Sequence, residues 1–276
     1  MPTLVPSQGR ETHPRSQTSD SHLPEGRWAF SEIRGWHAAF FVLTIAVGLY
    51  VDQRFEIWGQ IAASVWCWAA LLAFMHGTRG DLRLIIMACL VWATLGEIVA
   101  SLVWGLYLYR LHNVPMFIPP GHVLMLLVAL YLTARLRSWV FAAAPAIAAA
   151  YAVYATWKGI DMLSVVLTPI FILGLVFSRS RNLYAATFLL ALPLEFYGTW
   201  MGNWRWEPQA PWLELSMANP PVCIGAVYCA RDALAGLTVN VRKRWRARAA
   251  HSEPDEVDSR SRGATQQLAG AQAPSE

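Results

Sequence analysis

Charge is what this sequence has little of. Only 14% of its 276 residues are Asp, Glu, Lys or Arg, while 55% are hydrophobic. That balance excludes an ordinary soluble domain. Cysteine is scarce too. Cys67, Cys89, Cys223 and Cys229 all fall inside apolar runs and form no CxxC pair, so they read as small core residues. There is no Gly-rich phosphate loop, no GxSxG elbow and no His/Asp/Glu spacing suited to a metal. The first residues lack a charged start running at once into an apolar core, so no cleaved signal is expected.

What the chain does have is long apolar runs. The candidates are Trp36–Val51, Ile57–Met75, Leu84–Tyr107, Val123–Ala134, Ser138–Trp157, Met162–Phe177, Leu183–Trp200 and Val222–Val239. Most approach the ~20 residues a helix needs to cross a bilayer. The reading is an all-α, polytopic membrane bundle of eight spans over residues 36–240. The fourth run is short, which leaves seven as the alternative. Residues 1–35 and the tail from about His251 are polar and read as disordered. The Ala-rich fifth run suits close helix packing and reads as scaffold.

Basic residues alternate by loop. Arg10, Arg15, Arg27 and Arg34 precede the first run. Arg79 and Arg83, Arg135 and Arg137, and Arg179 and Arg181 flank alternate loops, and Arg242, Lys243, Arg244, Arg246 and Arg248 follow the last run. The intervening loops carry one each: Arg54, Arg110, Lys158 and Arg205. The positive-inside rule then puts both termini in the cytoplasm, with the chain in the cell membrane. The terminal basic run, in segment 241–276, reads as an anchor on anionic lipid and not as a nucleic-acid patch.

Two stretches share an order of residues. "GEIVASLVWGLYLYRLHNVPMFIPPGH" starts at Gly96 and "LEFYGTWMGNWRWEPQAPWLELSMANPPV" at Leu194. Each has a glutamate within a run, Glu97 and Glu195, and a hydroxyl four residues on, Ser101 and Thr199. That spacing puts both groups on one helix face. Each then reads Gly-x-aromatic-x-aromatic, with Gly105, Tyr107 and Tyr109 in one and Gly202, Trp204 and Trp206 in the other. Arg110 and Arg205 accompany them, and Pro119-Pro120 and Pro220-Pro221 close the loops. The order predicts two four-helix repeats, about 36–137 and 138–240, with the same orientation and an axis along the membrane normal.

Carboxylates inside spans are costly, roughly 2.5–3.5 kcal/mol for Asp on insertion scales, and mark functional sites. Glu97, Glu195 and Asp232 are such groups. Asp232 follows Arg231, and adjacent residues on a helix diverge, so each of these two is expected to pair with another helix. Pro193 is expected to kink the run that carries Glu195. His122 stands at the mouth of the fourth run and suits proton transfer, whereas His37, His76 and His112 read as interfacial.

The pattern acidic–x–x–x–Thr–x–x–Gly–x–Trp–x–aromatic, with proline at the next span, resembles the repeated membrane unit of lycopene-cyclase-domain proteins and related carotenoid hydratases. The likeness covers the two motif stretches. The Pro-x-Glu-Glu that marks the cyclases at the start of the following span is replaced by "PPGH" and "NPPVC", which points to a sister family. The resemblance implies cofactor-independent chemistry on an isoprenoid or carotenoid-type lipid: cyclisation, hydration or isomerisation begun by a proton. It implies Glu97 and Glu195 as acid and base, with Tyr107, Tyr109, Trp204 and Trp206 lining the pocket. The residues themselves add His122 to the catalytic candidates, and Ser101, Thr199, Arg231 and Asp232 to the substrate-binding ones. Two alternatives stand beside that chemistry: a small-molecule or proton-coupled transporter, and a non-catalytic membrane partner in which the polar groups join helices. The expected surroundings are the bilayer and an apolar lipid, without nucleic acid, and the sequence specifies no protein partner.

Overall fold

The computed structural model describes residues 30–270, with side chains described through Arg248. Residues 1–29, with most of the segment read as disordered, and residues 271–276 lie outside that range. Within it the chain forms eight α-helices. These are α1 (Gly35–Arg54), α2 (Glu56–His76), α3 (Gly80–Glu97), α4 (Ile118–Thr133), α5 (Ser138–Lys158), α6 (Met162–Phe177), α7 (Arg181–Met201) and α8 (Gly225–Gly270). Five segments are long and apolar enough to cross a membrane: Gly35–Arg54, Glu56–His76, Gly80–Val103, Ser138–Lys158 and Val222–Arg248. α4 and α6 are apolar but shorter, with 16 residues each. α7 has 21 residues and is not among the five; its Arg181, Asn182, Thr187 and Glu195 dilute its hydropathy.

Among the described residues, many large apolar side chains face outward. Trp58, Trp157, Phe177 and Trp200 are each at least 75% exposed. Apolar side chains displayed on this scale need an apolar surrounding, so the helices are compatible with membrane insertion. α4 is the opposite case, since Val123 through Leu130 are all buried. It is the central post, packed by α1, α2, α3 and α7. It starts at Ile118, five residues before the apolar run, because Pro119 and Pro120 occupy its first turn, where a missing N–H costs nothing.

Several sequence expectations change. The third apolar run predicts a helix through Tyr107. Instead α3 passes at Glu97 into a π-helical turn, Ile98–Val103, and Tyr107–Tyr109 form a strand, β1. Gly105, with φ +72°, provides the left-handed turn between them. Ile33 belongs to the core at 1% exposure, so order begins before residue 35; its side chain gains more from burial than the polar segment before it offers. Residues 251–270, read as an unstructured tail, continue α8; Ala, Arg, Glu and Gln there favour helix.

One end of the bundle gathers the α1–α2, α3–α4, α5–α6 and α7–α8 junctions. β1 pairs there antiparallel with β2 (Trp204–Trp206), with Tyr107 opposite Trp206, Leu108 opposite Arg205 and Tyr109 opposite Trp204. A smaller hairpin, β3 (Gln209–Ala210) with β4 (Leu215–Ser216), lies in the α7–α8 loop. Arg110 fastens this end to the α1–α2 turn by donating to the carbonyls of Asp52 and Glu56 and to the Asp52 carboxylate. Asp161 caps α6 by accepting from Ser164 N–H, and it also accepts from Val222 N–H at the start of the last span. The opposite end carries the paired basic residues, where Lys243 of α8 meets Asp81 of α3 at 2.6 Å.

Candidate functional site

Glu97 is the last residue of α3, and Glu195 sits six residues before the end of α7. Both are buried, at 7% and 4% exposure. Both line one cavity of about 140 Å³, together with His122, Tyr228, Arg231 and the aromatic residues of β1 and β2.

Each glutamate accepts from the aromatic pair of its own stretch. Glu97 Oε2 accepts from the Tyr107 hydroxyl at 2.7 Å and the Tyr109 hydroxyl at 2.6 Å. Glu195 Oε2 accepts from the Trp204 indole at 2.9 Å and the Trp206 indole at 3.2 Å. The paired strands make this possible. Alternate residues of a strand face one way, so the two aromatics of each strand turn inward and Leu108 and Arg205 turn out. Burial, together with the Glu97 carboxylate, holds the Tyr107 and Tyr109 hydroxyls well above the usual phenol range, so both remain protonated donors.

A glycine sets the approach of Trp204. A Cβ at Gly198 would lie 1.9 Å from Trp204 Cη2, so the indole rests directly on the backbone of α7. Gly202, with φ +81°, ends α7 in a left-handed turn and brings the chain back to put that ring in place.

The outer oxygens of the two carboxylates differ. Glu97 Oε1 is 2.7 Å from His122 Nε2, and Arg231 meets His122 Nδ1. A guanidinium only donates, so Nδ1 accepts and the ring proton lies on Nε2, directed at Glu97. Glu195 Oε1 instead meets the Tyr228 hydroxyl at 2.5 Å. Indole N–H groups also only donate, so Oε2 of Glu195 holds no proton. A proton on this carboxyl belongs on Oε1, against a hydroxyl able to donate or accept. Glu97 thus lies in a chain that ends on a cation, and Glu195 has only neutral partners.

Arg231 and Asp232 do pair with other helices, Arg231 with His122 of α4 and Asp232 with Thr187 of α7, but against the expected divergence of neighbours they also pair with each other. Arg231 Nε and Nη2 both reach Asp232 Oδ1, at 2.9 and 2.6 Å. The Arg stem is long and flexible enough to fold back along its own helix. Asp232 Oδ2 accepts from Thr187 of α7 at 2.6 Å, so this ion pair also ties α8 to α7. Asp232 is not among the residues that line the cavity, whereas Arg231 is.

Ser101 and Thr199 do not line the cavity either. Ser101 Oγ donates to the Tyr107 carbonyl at 3.2 Å, and Thr199 Oγ1 to the Glu195 carbonyl at 2.8 Å. Thr199 thus serves the carbonyl four residues back and not the carboxylate, while after Glu97 the π-helical turn breaks the expected face and Ser101 serves the chain ahead of it. The two arginines part company. Arg110 is tied to Asp52, while Arg205 is exposed. Tyr228 is the residue that sequence reasoning missed. Its helical spacing of three from Arg231 was the available signal, since that puts it on the face of the inward charge. Asp52 was missed as well: it accepts from Asn203 at 2.7 Å and from Arg110 at 3.3 Å.

Among the described residues no group of three or more His, Cys, Asp or Glu is arranged to hold a metal. No family model matches the chain, and no curated protein or solved structure matches it either.

Proposed function

We propose that this chain is an integral membrane enzyme that uses a buried carboxylic acid to protonate a carbon–carbon double bond of an isoprenoid or carotenoid-type lipid, without a cofactor. The observation that carries the reading is the pair of buried glutamates facing one aromatic-lined cavity. Glu195 is the acid: its Oε1 proton adds to one alkene carbon and leaves a carbocation on the other. Trp204, Trp206, Tyr107 and Tyr109 present electron-rich rings to that cation. Glu97, linked through His122 to Arg231, is the base that takes a proton from a neighbouring carbon, which isomerises the lipid, or cyclises it where a second double bond first attacks the cation. Water attacking the cation and passing its proton to Glu97 gives hydration instead. General acid–base steps of this kind contribute roughly 10²–10⁴-fold.

The proposal includes a duplicated architecture of eight spans, with both termini cytoplasmic in the cell membrane. The antiparallel pairing of the two motif strands about Leu108 and Arg205 supports it. So does the matching of each glutamate to its own aromatic pair. α4 and α6 then cross within a locally thin or protein-lined region, as short apolar helices do, and α7, long enough to cross, keeps its buried polar residues Thr187 and Glu195 toward its neighbours.

Lipid analysis of membranes with and without the chain tests the reading, repeated with Glu97→Gln and Glu195→Gln at matched abundance. A neutral lipid that shifts by the mass of water, or isomerises, only with both glutamates intact is the expected result. An unchanged lipid profile with folded protein overturns it. Solute uptake into vesicles then tests the transporter alternative, and reduced stability of the glutamine variants with no chemistry points to a partner protein.

A further inference from the structure

A second cavity, of about 260 Å³, lies between α1, α4 and α7. Tyr197 is the only polar side chain among the residues that line it. Met125 and Val128 of the central helix form its buried floor, at 3% and 4% exposure. At its rim stand Val42 of α1 and Pro193 of α7, both exposed on the apolar outer surface. At its inner end, Ile45 and Leu194 line both this cavity and the glutamate cavity. Leu194 immediately precedes Glu195.

We propose that this gallery is the lateral entry and tail-binding site of the substrate, and that its occupant is a single linear hydrocarbon chain arriving from the bilayer. The inference rests on the lipid-enzyme reading and adds the shape of its substrate. Three observations converge on that occupant. The rim faces the apolar surface, the lining is apolar, and the inner end joins the site beside the reactive carboxyl. A rigid or polar head has nothing to bind there, because buried polar groups need partners and the gallery offers one phenol. That phenol is already engaged: the Tyr197 hydroxyl donates to the Ala46 carbonyl at 3.3 Å, joining α7 to α1 across the seam. The chain therefore threads between α1 and α7, past Ile45 and Leu194, and presents a double bond near its leading end to Glu195.

Photolabelling tests this on the full-length protein in lipid nanodiscs. One probe is an all-trans polyprenyl hydrocarbon with a diazirine near one end. The other is a phosphatidylcholine with a diazirine in its acyl chain. The polyprenyl probe is expected to label the floor residues Met125 and Val128, and excess unlabelled polyprenyl hydrocarbon is expected to reduce that labelling at least fivefold. Leu190→Trp, from the wall of the gallery, and Val128→Trp, from its floor, are each expected to remove labelling of Met125 while labelling of the exposed apolar surface, the outer belt, persists. The wild-type pattern decides even where a variant does not fold. Labelling confined to the outer belt overturns the proposal. Floor labelling by the phospholipid probe without competition also overturns it, since bilayer lipid is then the occupant. Competed floor labelling combined with a lipid profile indifferent to the glutamates keeps the gallery and removes the enzyme reading. The reverse combination does the opposite.

Discussion

Tyr109 stands directly opposite Trp204 across the β1–β2 pair, yet the two rings serve different carboxylates. The Tyr109 hydroxyl donates to Glu97, and the Trp204 indole donates to Glu195. Two segments almost a hundred residues apart thus build one lid, and each brings its own donors. A carboxyl group buried without partners would face a large desolvation cost; three hydrogen-bond partners apiece relieve it here. The arrangement leads to four experimental expectations.

Tyr228 is the only hydrogen-bond partner of Glu195 Oε1 among the described residues. Under the proposed lipid chemistry, Tyr228→Phe is expected to reduce conversion about 100-fold, within the usual range for a proton-transfer partner, and to cost about 1–3 kcal/mol of stability by leaving Glu195 Oε1 without a partner. Conversion equal to that of the parent protein would remove Tyr228 from the proton path.

Gly198 has no room for a methyl group under Trp204. Gly198→Ala is expected to destabilise the fold by about 1–3 kcal/mol through overpacking. Gly198→Ala combined with Trp204→Phe is expected to cost less than the two single changes added together, because the clash is shared. Unfolding midpoints of the four proteins measure the coupling, and strict additivity would contradict the contact.

Arg110 and Arg205 look equivalent in the sequence and differ in the structure. Arg110→Ala leaves Asp52 buried with only Asn203 as a side-chain donor, and is expected to cost about 1–3 kcal/mol. Arg205→Ala, on an exposed position, is expected to stay within about 0.5 kcal/mol of the parent. Equal effects in an unfolding assay would argue against the Asp52 clasp.

Arg231→Met strands Asp232 in the core with only Thr187, and breaking a buried pair in this way costs roughly 3–5 kcal/mol. Arg231→Met with Asp232→Leu removes both charges and is expected to recover much of that loss. The single change also frees His122 Nδ1, so lipid conversion is expected to fall more steeply than stability. A stable double variant with full conversion would show that Arg231 does not tune the site.

Part of this architecture was legible in the residues themselves. The apolar runs located the helices, because apolar length is a local property. Glu97, Glu195, Tyr107, Tyr109, Trp204, Trp206 and His122 were singled out as polar or aromatic groups in places costly for them, and all line the one cavity. The choice failed for Ser101, Thr199 and Asp232. Thr199 has the Glu195 carbonyl within closer reach than the carboxylate, Ser101 is carried off the expected face by the π-helical turn and donates to the Tyr107 carbonyl, and Asp232 lies within reach of the long Arg231 side chain. None of these is visible in spacing alone.

The sequence by itself determined that the helices are apolar enough to suit a membrane, the approximate positions of those helices and the presence of acids in apolar runs beside aromatic rings. These follow from hydropathy and from the cost of burying charge, which belong to residues and short segments. Only the tertiary structure decided which donor meets which oxygen, that α4 is the central post, that Tyr228 completes the Glu195 site, and that a gallery opens between α1 and α7. Those depend on strands and helices distant in the chain meeting at ångström distances, and hydrogen-bond partnership and free volume are properties of that meeting.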